Sequence, residues 1–289
     1  MFQVLLAGAC FGFLGVFGKL AFQSGIDVGE LLTLRFLVAT ALLEIYLLLF
    51  HRSWLWLPLK QLLTSFLLGF FGYAVFSTFY FEAIKGITVG LAALLLFTFP
   101  LFVNIGSVIF LKERLTLIRS FSLLTASTGL VLLVWGDWAI QKFSAVAFGL
   151  GAAVTYACYV LVSGQLQKNV RPLTSSLYVM FGATLGLFLY HQPSLTAVAT
   201  WTAEKFLILL GIAVVCTIAP LTLFLAGLQK MSSSRASLLV MIEPVVATIA
   251  GALFFRESLS LQQSIGAGLV LSALFLNRRH EVPKNSPPA

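Results

Sequence analysis

Residues 94–117 read LLLFTFPLFVNIGSVIFLKERLTL, and residues 238–261 read LLVMIEPVVATIAGALFFRESLSL. A constant offset of 144 aligns Pro100 with Pro244, Phe110 with Phe254, Lys112 with Arg256, Glu113 with Glu257 and Leu115 with Leu259, without a gap. Such a repeat in an apolar chain predicts two similar helical bundles in one polypeptide, the usual scaffold of a secondary transporter.

Around this repeat the chain has 289 residues, of which 60% are hydrophobic and 10% charged, with mean hydropathy +1.01. A soluble domain carries about 25% charged residues. The chain lacks the polar surface that water would require, so its expected solvent is a bilayer. Its net charge of +8 would raise nucleic-acid binding in a soluble protein. Here the basic residues sit in short loops between apolar runs, which fits membrane orientation and excludes a nucleic-acid partner. Cys10, Cys158 and Cys216 all fall in apolar stretches. They show neither metal spacing nor a disulfide framework, and no metal or cofactor is expected. The start lacks the basic segment and cleavage site of a signal peptide.

Charges and turn residues divide the chain into ten apolar spans, near 2–22, 30–50, 61–84, 88–111, 116–136, 143–165, 173–191, 205–228, 232–255 and 259–277. Each is long enough to cross a bilayer. Helix is the required state, because backbone amides in hydrocarbon must bond within the segment. The expected fold is therefore all-α, with ten transmembrane helices. The first repeat occupies residues 1–137, the second 143–277, and a disordered cytoplasmic tail 278–289.

With the N-terminus inside, the inner segments hold twelve Lys and Arg, from Arg52 and Lys60 to Arg279 and Lys284. The outer loops hold four: Lys85, Lys142, Lys205 and Arg256. This asymmetry predicts both termini in the cytoplasm, in a bacterial-type inner membrane. Five spans per half is an odd number, so the halves should lie in opposite orientations, with the site where they meet. A cavity lined by some of spans 1, 3, 4, 6, 8 and 9 is expected there.

The second repeat carries Ala236-Ser237-Leu238-Leu239, then Glu243-Pro244-Val245-Val246-Ala247, then Phe255-Arg256-Glu257-Ser258-Leu259. The first half carries Phe11-Gly12, Lys19 and Arg35. These residues resemble the EamA family of the drug/metabolite transporter superfamily, over nearly the whole chain as two halves. The family pattern is a run of small and apolar residues, Glu-Pro, a small-residue stretch, then Glu before Leu. Many members have Trp-Gly where Phe11-Gly12 stands, and Lys and Arg at the positions of Lys19 and Arg35. The resemblance implies export of amino acids or other small metabolites. Related branches carry sugars, nucleotide sugars or phosphorylated compounds.

Ionisable groups inside a span cost about 2.5–3.5 kcal/mol each on insertion scales and are functional candidates. Lys19 shares a helix face with Gly8, Gly12 and Gly15, which predicts contact with protein, against the alternative of snorkelling to the outer headgroups. Arg35 offers a planar fork suited to a carboxylate or phosphate, or could bridge to Glu82. Glu44 is expected to make a structural bond between helices. Glu243, mid-span beside Pro244, is placed to bind an ammonium group or a proton. Pro100 and Pro244 are expected helix kinks. Thr155, Tyr156, Tyr159 and Ser163 form one stripe of span 6, and Gly72, Phe79 and Glu82 one of span 3, with Tyr80 nearby. Either could line a cavity of mixed polarity.

The substrate-path candidates are thus Lys19, Arg35, Phe79, Glu82, Tyr156, Tyr159 and Glu243. No GxxxxGK[ST], HExxH, GxSxG or intramembrane aspartate pair occurs, so no enzyme is expected. The expected function is secondary transport, by alternating access, of small polar metabolites such as amino acids or related zwitterions. One alternative is a multidrug exporter of lipophilic cations using Glu243; a remoter one is a membrane-embedded enzyme. The partners are a small-molecule substrate and the bilayer. The oligomeric state is not fixed by the sequence, and a monomer suffices.

Overall fold

The computed structural model describes residues 1–113, 116–136, 140–193, 198, 201–256 and 258–278. Of the expected tail, Arg278 instead ends the last helix; residues 279–289, like Glu257 and Leu115 of the repeat, lie outside the described residues. Ten apolar helices run through the described chain. They are α1 (Phe2–Gln23), α2 (Val28–Phe50), α3 (Leu59–Ile84), α4 (Val89–Leu111), α5 (Leu117–Leu133), α6 (Phe143–Leu166), α7 (Pro172–His191), α8 (Ala203–Leu228), α9 (Ser233–Phe255) and α10 (Leu261–Arg278). Eight are long and apolar enough to cross a membrane. Helices α5 and α10 are shorter than the spans expected from sequence, because α5 stops at Leu133 and α10 begins at Leu261.

Local chemistry sets the ends, and it repeats. The Thr88 hydroxyl accepts from Leu91 N–H to start α4, and the Ser232 hydroxyl accepts from Arg235 N–H to start α9. Thr116 caps α5 in the same way. Ser260 and Gln263 form a reciprocal capping box on α10, with bonds of 2.9 and 3.1 Å. Both α4 and α9 end in a left-handed non-glycine residue, Lys112 at φ 54° and Arg256 at φ 55°. Each of these pairs lies 144 positions apart.

Several helices are interrupted. Helix α1 breaks at Phe13, α4 between Leu96 and Phe99, and α9 at Met241. Pro100 and Pro244 follow these last two breaks, so each proline stands in the first turn of a new segment, where its missing N–H costs nothing. Side chains satisfy the proline carbonyls: Asn104 Nδ2 donates to Pro100 O at 2.7 Å, and Thr248 Oγ1 donates to Pro244 O at 2.8 Å. One turn of π-helix interrupts α3 at Leu68–Tyr73, and another interrupts α8 at Val214–Ile218.

Packing places small and hydroxylated residues inside and large apolar ones outside. Ser65, Ser122, Ser176 and Ser237 are fully buried, while Phe110, Leu117 and Phe143 are largely exposed. This is the pattern of helices that meet each other closely and face lipid with Leu and Phe. Helix α1 packs on α8 and α9, α6 on α3 and α4, α2 on α7 and α8, α3 on α7, α4 on α9, and α5 on α10. Every pairing in this set maps onto another, or onto itself, when each helix is exchanged with the one five places away. Thr40 of α2 and Thr184 of α7, 144 positions apart, share a hydrogen bond of 3.3 Å.

Candidate functional site

Arg35 lies in the second turn of α2 and is buried, at 6% exposure. Its guanidinium carbon sits 4.8 Å from the Phe36 ring centroid. It has Tyr73, Cys216 and Glu243 within electrostatic reach. Yet Arg35 makes no ion pair among the described residues, and its Nε has no hydrogen-bond partner there. The bridge to Glu82 that the sequence allowed is not formed. Glu82 instead accepts from Lys85 Nζ and, at 2.9 Å, from the Tyr190 hydroxyl.

Glu243 opens the second segment of α9, directly after the break at Met241. A carboxylate in the first turn of a helical segment faces the positive end of its dipole. The Glu243 side chain is half-buried. Tyr73, Tyr80, Tyr156 and Cys216 are its electrostatic neighbours besides Arg35. The backbone of α1 approaches here. A β-carbon added to Gly12 would lie 2.8 Å from the Glu243 carbonyl oxygen, and one on Gly8 would lie 2.6 Å from Ile242. Glycine at both positions lets α1 seat against the broken part of α9.

Aromatic rings fill the other side. Tyr156 has ring centroids of Phe76 and Phe99 at 4.6 Å each and stacks on Tyr159 at 5.9 Å. Tyr73 meets Phe36 at 5.1 Å and Tyr159 at 5.5 Å, edge to face. Phe99 occupies in the first repeat the position of Glu243 in the second. The cluster thus joins a cation from α2, a carboxyl from α9 and rings from α2, α3, α4 and α6.

Four of the sequence candidates come together here: Arg35, Tyr156, Tyr159 and Glu243. Three do not. Phe79 packs against Phe148 and Gly151 at the start of α6. Glu82 belongs to the Lys85–Tyr190 group at the end of α3. Lys19 is exposed, its Nζ 4.0 Å over the Phe255 ring. Its glycine face seals only at Gly8 and Gly12; nothing lies within 4 Å of a β-carbon built at Gly15. Glu44 is exposed on α2 rather than bonded between helices, with Tyr178 as an electrostatic neighbour. The sequence reading missed Tyr73, Phe76 and Phe99, and omitted α2 from the expected lining. Phe99 was findable, since the repeat alignment sets it opposite Glu243.

Two grooves lie elsewhere. One of about 380 Å3 runs between α3 and α6, and one of about 120 Å3 lies between the α1 break and the second segment of α9. Neither is lined by Arg35 or Glu243.

Comparison with known proteins fits this arrangement. A transporter of Bacillus subtilis named "Uncharacterized transporter YcbK" is 27% identical over 283 residues, covering 92% of this chain and 88% of that protein. A Salmonella typhimurium protein named "Probable amino-acid metabolite efflux pump" is 28% identical over 213 residues, covering 69% of this chain and 71% of its own. A solved crystal structure superposes with a TM-score of 0.81 over 96% of this chain and 97% of the other at 19% identity, which establishes a shared fold. The model of the EamA-like transporter family matches residues 1–135 and again 143–279. The chain is an integral multi-pass membrane protein and belongs to the EamA-like transporter family.

Proposed function

We propose that this protein is a secondary transporter that exports small zwitterionic metabolites, amino acids foremost, with Arg35 and Glu243 holding the two charged ends. The observation that carries this reading is the state of Arg35. A guanidinium buried among apolar helices with an unpaired donor is costly unless something occupies it part of the time. Glu243 lies within electrostatic reach yet forms no ion pair with it. A ligand carboxylate would take the Arg35 fork, and a ligand ammonium would take Glu243. Tyr73, Tyr156 and Phe99 would close on the apolar part between them. Lys19, Phe79 and Glu82 belong, in this reading, to the path leading toward the cluster.

The helices would work as two inverted five-helix halves, residues 1–137 and 143–277, that rock about the cluster. The symmetric set of helix pairings, the repeated caps and the Thr40–Thr184 bond support this. The excess of basic residues in alternate loops supports an inner-membrane protein with both termini inside. The relative named as an amino-acid metabolite efflux pump supports the substrate class.

The test begins with metabolite profiling of cells with and without the protein. The hits are then measured as flux in proteoliposomes beside a quaternary ammonium dye. Counterflow of neutral amino acids with no dye transport is the expected result. Transport of the dye alone, unaffected by loss of Arg35, would assign the protein to lipophilic-cation export instead.

A further inference from the structure

The groove between α3 and α6 reaches the Arg35–Glu243 cluster only at Tyr159, and neither charged residue lines it. It holds about 380 Å3, and its walls include Leu67, Phe71, Gly72, Cys158, Val162 and Leu166. Two features of α3 lie beside it. At Gly69 and Gly182, α3 and α7 touch backbone to backbone on the side away from the groove lining. The π turn at Leu68–Tyr73 distorts α3 at the same level. Two threonines also line the groove, but neither offers it a hydroxyl. Thr64 Oγ1 donates to Lys60 O and Thr155 Oγ1 donates to Gly151 O, both at 2.7 Å. Apart from the Cys158 thiol, the walls therefore present mainly methyl groups and ring edges.

The groove has one charged end. Lys60 stands one turn before Thr64 on the same face of α3, and Lys168 follows two residues after Leu166. Helices α3 and α6 run in opposite directions, and Ser65 Oγ and the Gln167 amide are bonded at 2.9 and 3.2 Å. Both lysines are thereby brought to the same end, and both are exposed. At the other end of the groove Gly72 lies against the Tyr159 ring.

We propose that this groove binds one anionic glycerophospholipid, its acyl chain along α3 and α6 and its phosphate between Lys60 and Lys168. The occupant follows from complementarity at both ends. A zwitterionic lipid would satisfy the walls but place a cation beside the lysines. Inorganic phosphate would satisfy the lysines and leave the walls empty. Basic residues at the mouth of a cleft between membrane helices favour anionic headgroups. The proposal does not depend on the transport reading, and it gives Lys60 and Lys168 a role beyond fixing orientation.

The test uses native mass spectrometry of the full-length protein in detergent. Phosphatidylglycerol or phosphatidylcholine with matched chains is titrated in, with inorganic phosphate as a third arm. One variant is Lys60→Gln with Lys168→Gln; the other is Cys158→Trp, which fills the groove. All three positions are exposed, so both variants should fold as wild type does. The expected result is one retained phosphatidylglycerol, favoured over phosphatidylcholine by on the order of tenfold. That preference should vanish in both variants, and inorganic phosphate should not bind. Equal retention of the two lipids would overturn the proposal. A preference that survives the lysine change would overturn the headgroup site, and one that survives Cys158→Trp would overturn the groove.

Discussion

At the scale of single residues, Arg35 and Glu243 make opposite demands on the protein. A buried charge without an ion-pair partner costs stability, and an apolar side chain of similar volume removes that cost. Arg35→Met should therefore leave the empty protein as stable or more so in a thermal melt, while abolishing amino-acid flux. A lowered melting temperature would mean that Arg35 holds the fold rather than a ligand. Glu243→Gln keeps size and removes ionisation. At matched membrane abundance it should lose most of the transport and the pH dependence that wild type shows. Wild-type flux across the pH series would assign Glu243 to structure. Both residues were legible in the sequence, because a charge in an apolar run has little reason to exist otherwise. Lys19 stands apart from the cluster for a physical reason: its glycine face is continuous in sequence, but the close backbone approach ends at Gly12 and Lys19 lies over the Phe255 ring. Tyr73 and Phe76 stayed hidden because the inward face of α3 was inferred from Glu82, whose charge reaches instead for Lys85 and Tyr190 at the helix end.

At the scale of helices, close approaches decide which glycines matter. A β-carbon at Gly69 would collide with the carbonyl of Val179, and backbone cannot swing aside. Gly69→Ala should cost about 1–3 kcal/mol, the usual penalty of overpacking, and lower the melting temperature. Gly15→Ala should not destabilise, since open space surrounds that position and alanine suits a helix at least as well as glycine. Equal effects at the two positions would contradict this packing. The spans themselves were legible to within a few residues, because length and hydropathy are imposed by the bilayer. Their interruptions were not. Prolines announced the irregularity of α4 and α9, yet the breaks fall before them, at Phe97–Thr98 and Met241. The break at Phe13 and the π turn in α3 have no proline at all. They reflect contacts with neighbouring helices, which a single sequence does not display.

At the scale of the whole molecule, the proposed opposite orientation of the halves makes a sharp prediction about sidedness. Lys112→Cys and Arg256→Cys occupy equivalent helix ends, both left-handed. An impermeant thiol reagent, on a background lacking Cys10, Cys158 and Cys216, should label them from opposite faces of the membrane. Labelling from one face would rule out inversion. The constant offset of 144 is legible in the sequence and predicts this architecture, and the caps at Thr88 and Ser232, which the sequence reading did not single out, repeat at the same offset. It could not reveal where the two copies touch. Thr40 bonds to Thr184, its own equivalent. A position that contacts its own copy is the mark of an isologous twofold interface. In the proposed arrangement that bond is the contact a shorter polypeptide would make on pairing with its own copy, each inserted the other way up. Such a polypeptide would have to place the same side chain at both Arg35 and Val179, and at both Phe99 and Glu243. Only two copies free to differ can place a cation in one and a carboxyl in the other, so a binding site with two unlike ends is closed to a polypeptide that pairs with an identical copy of itself.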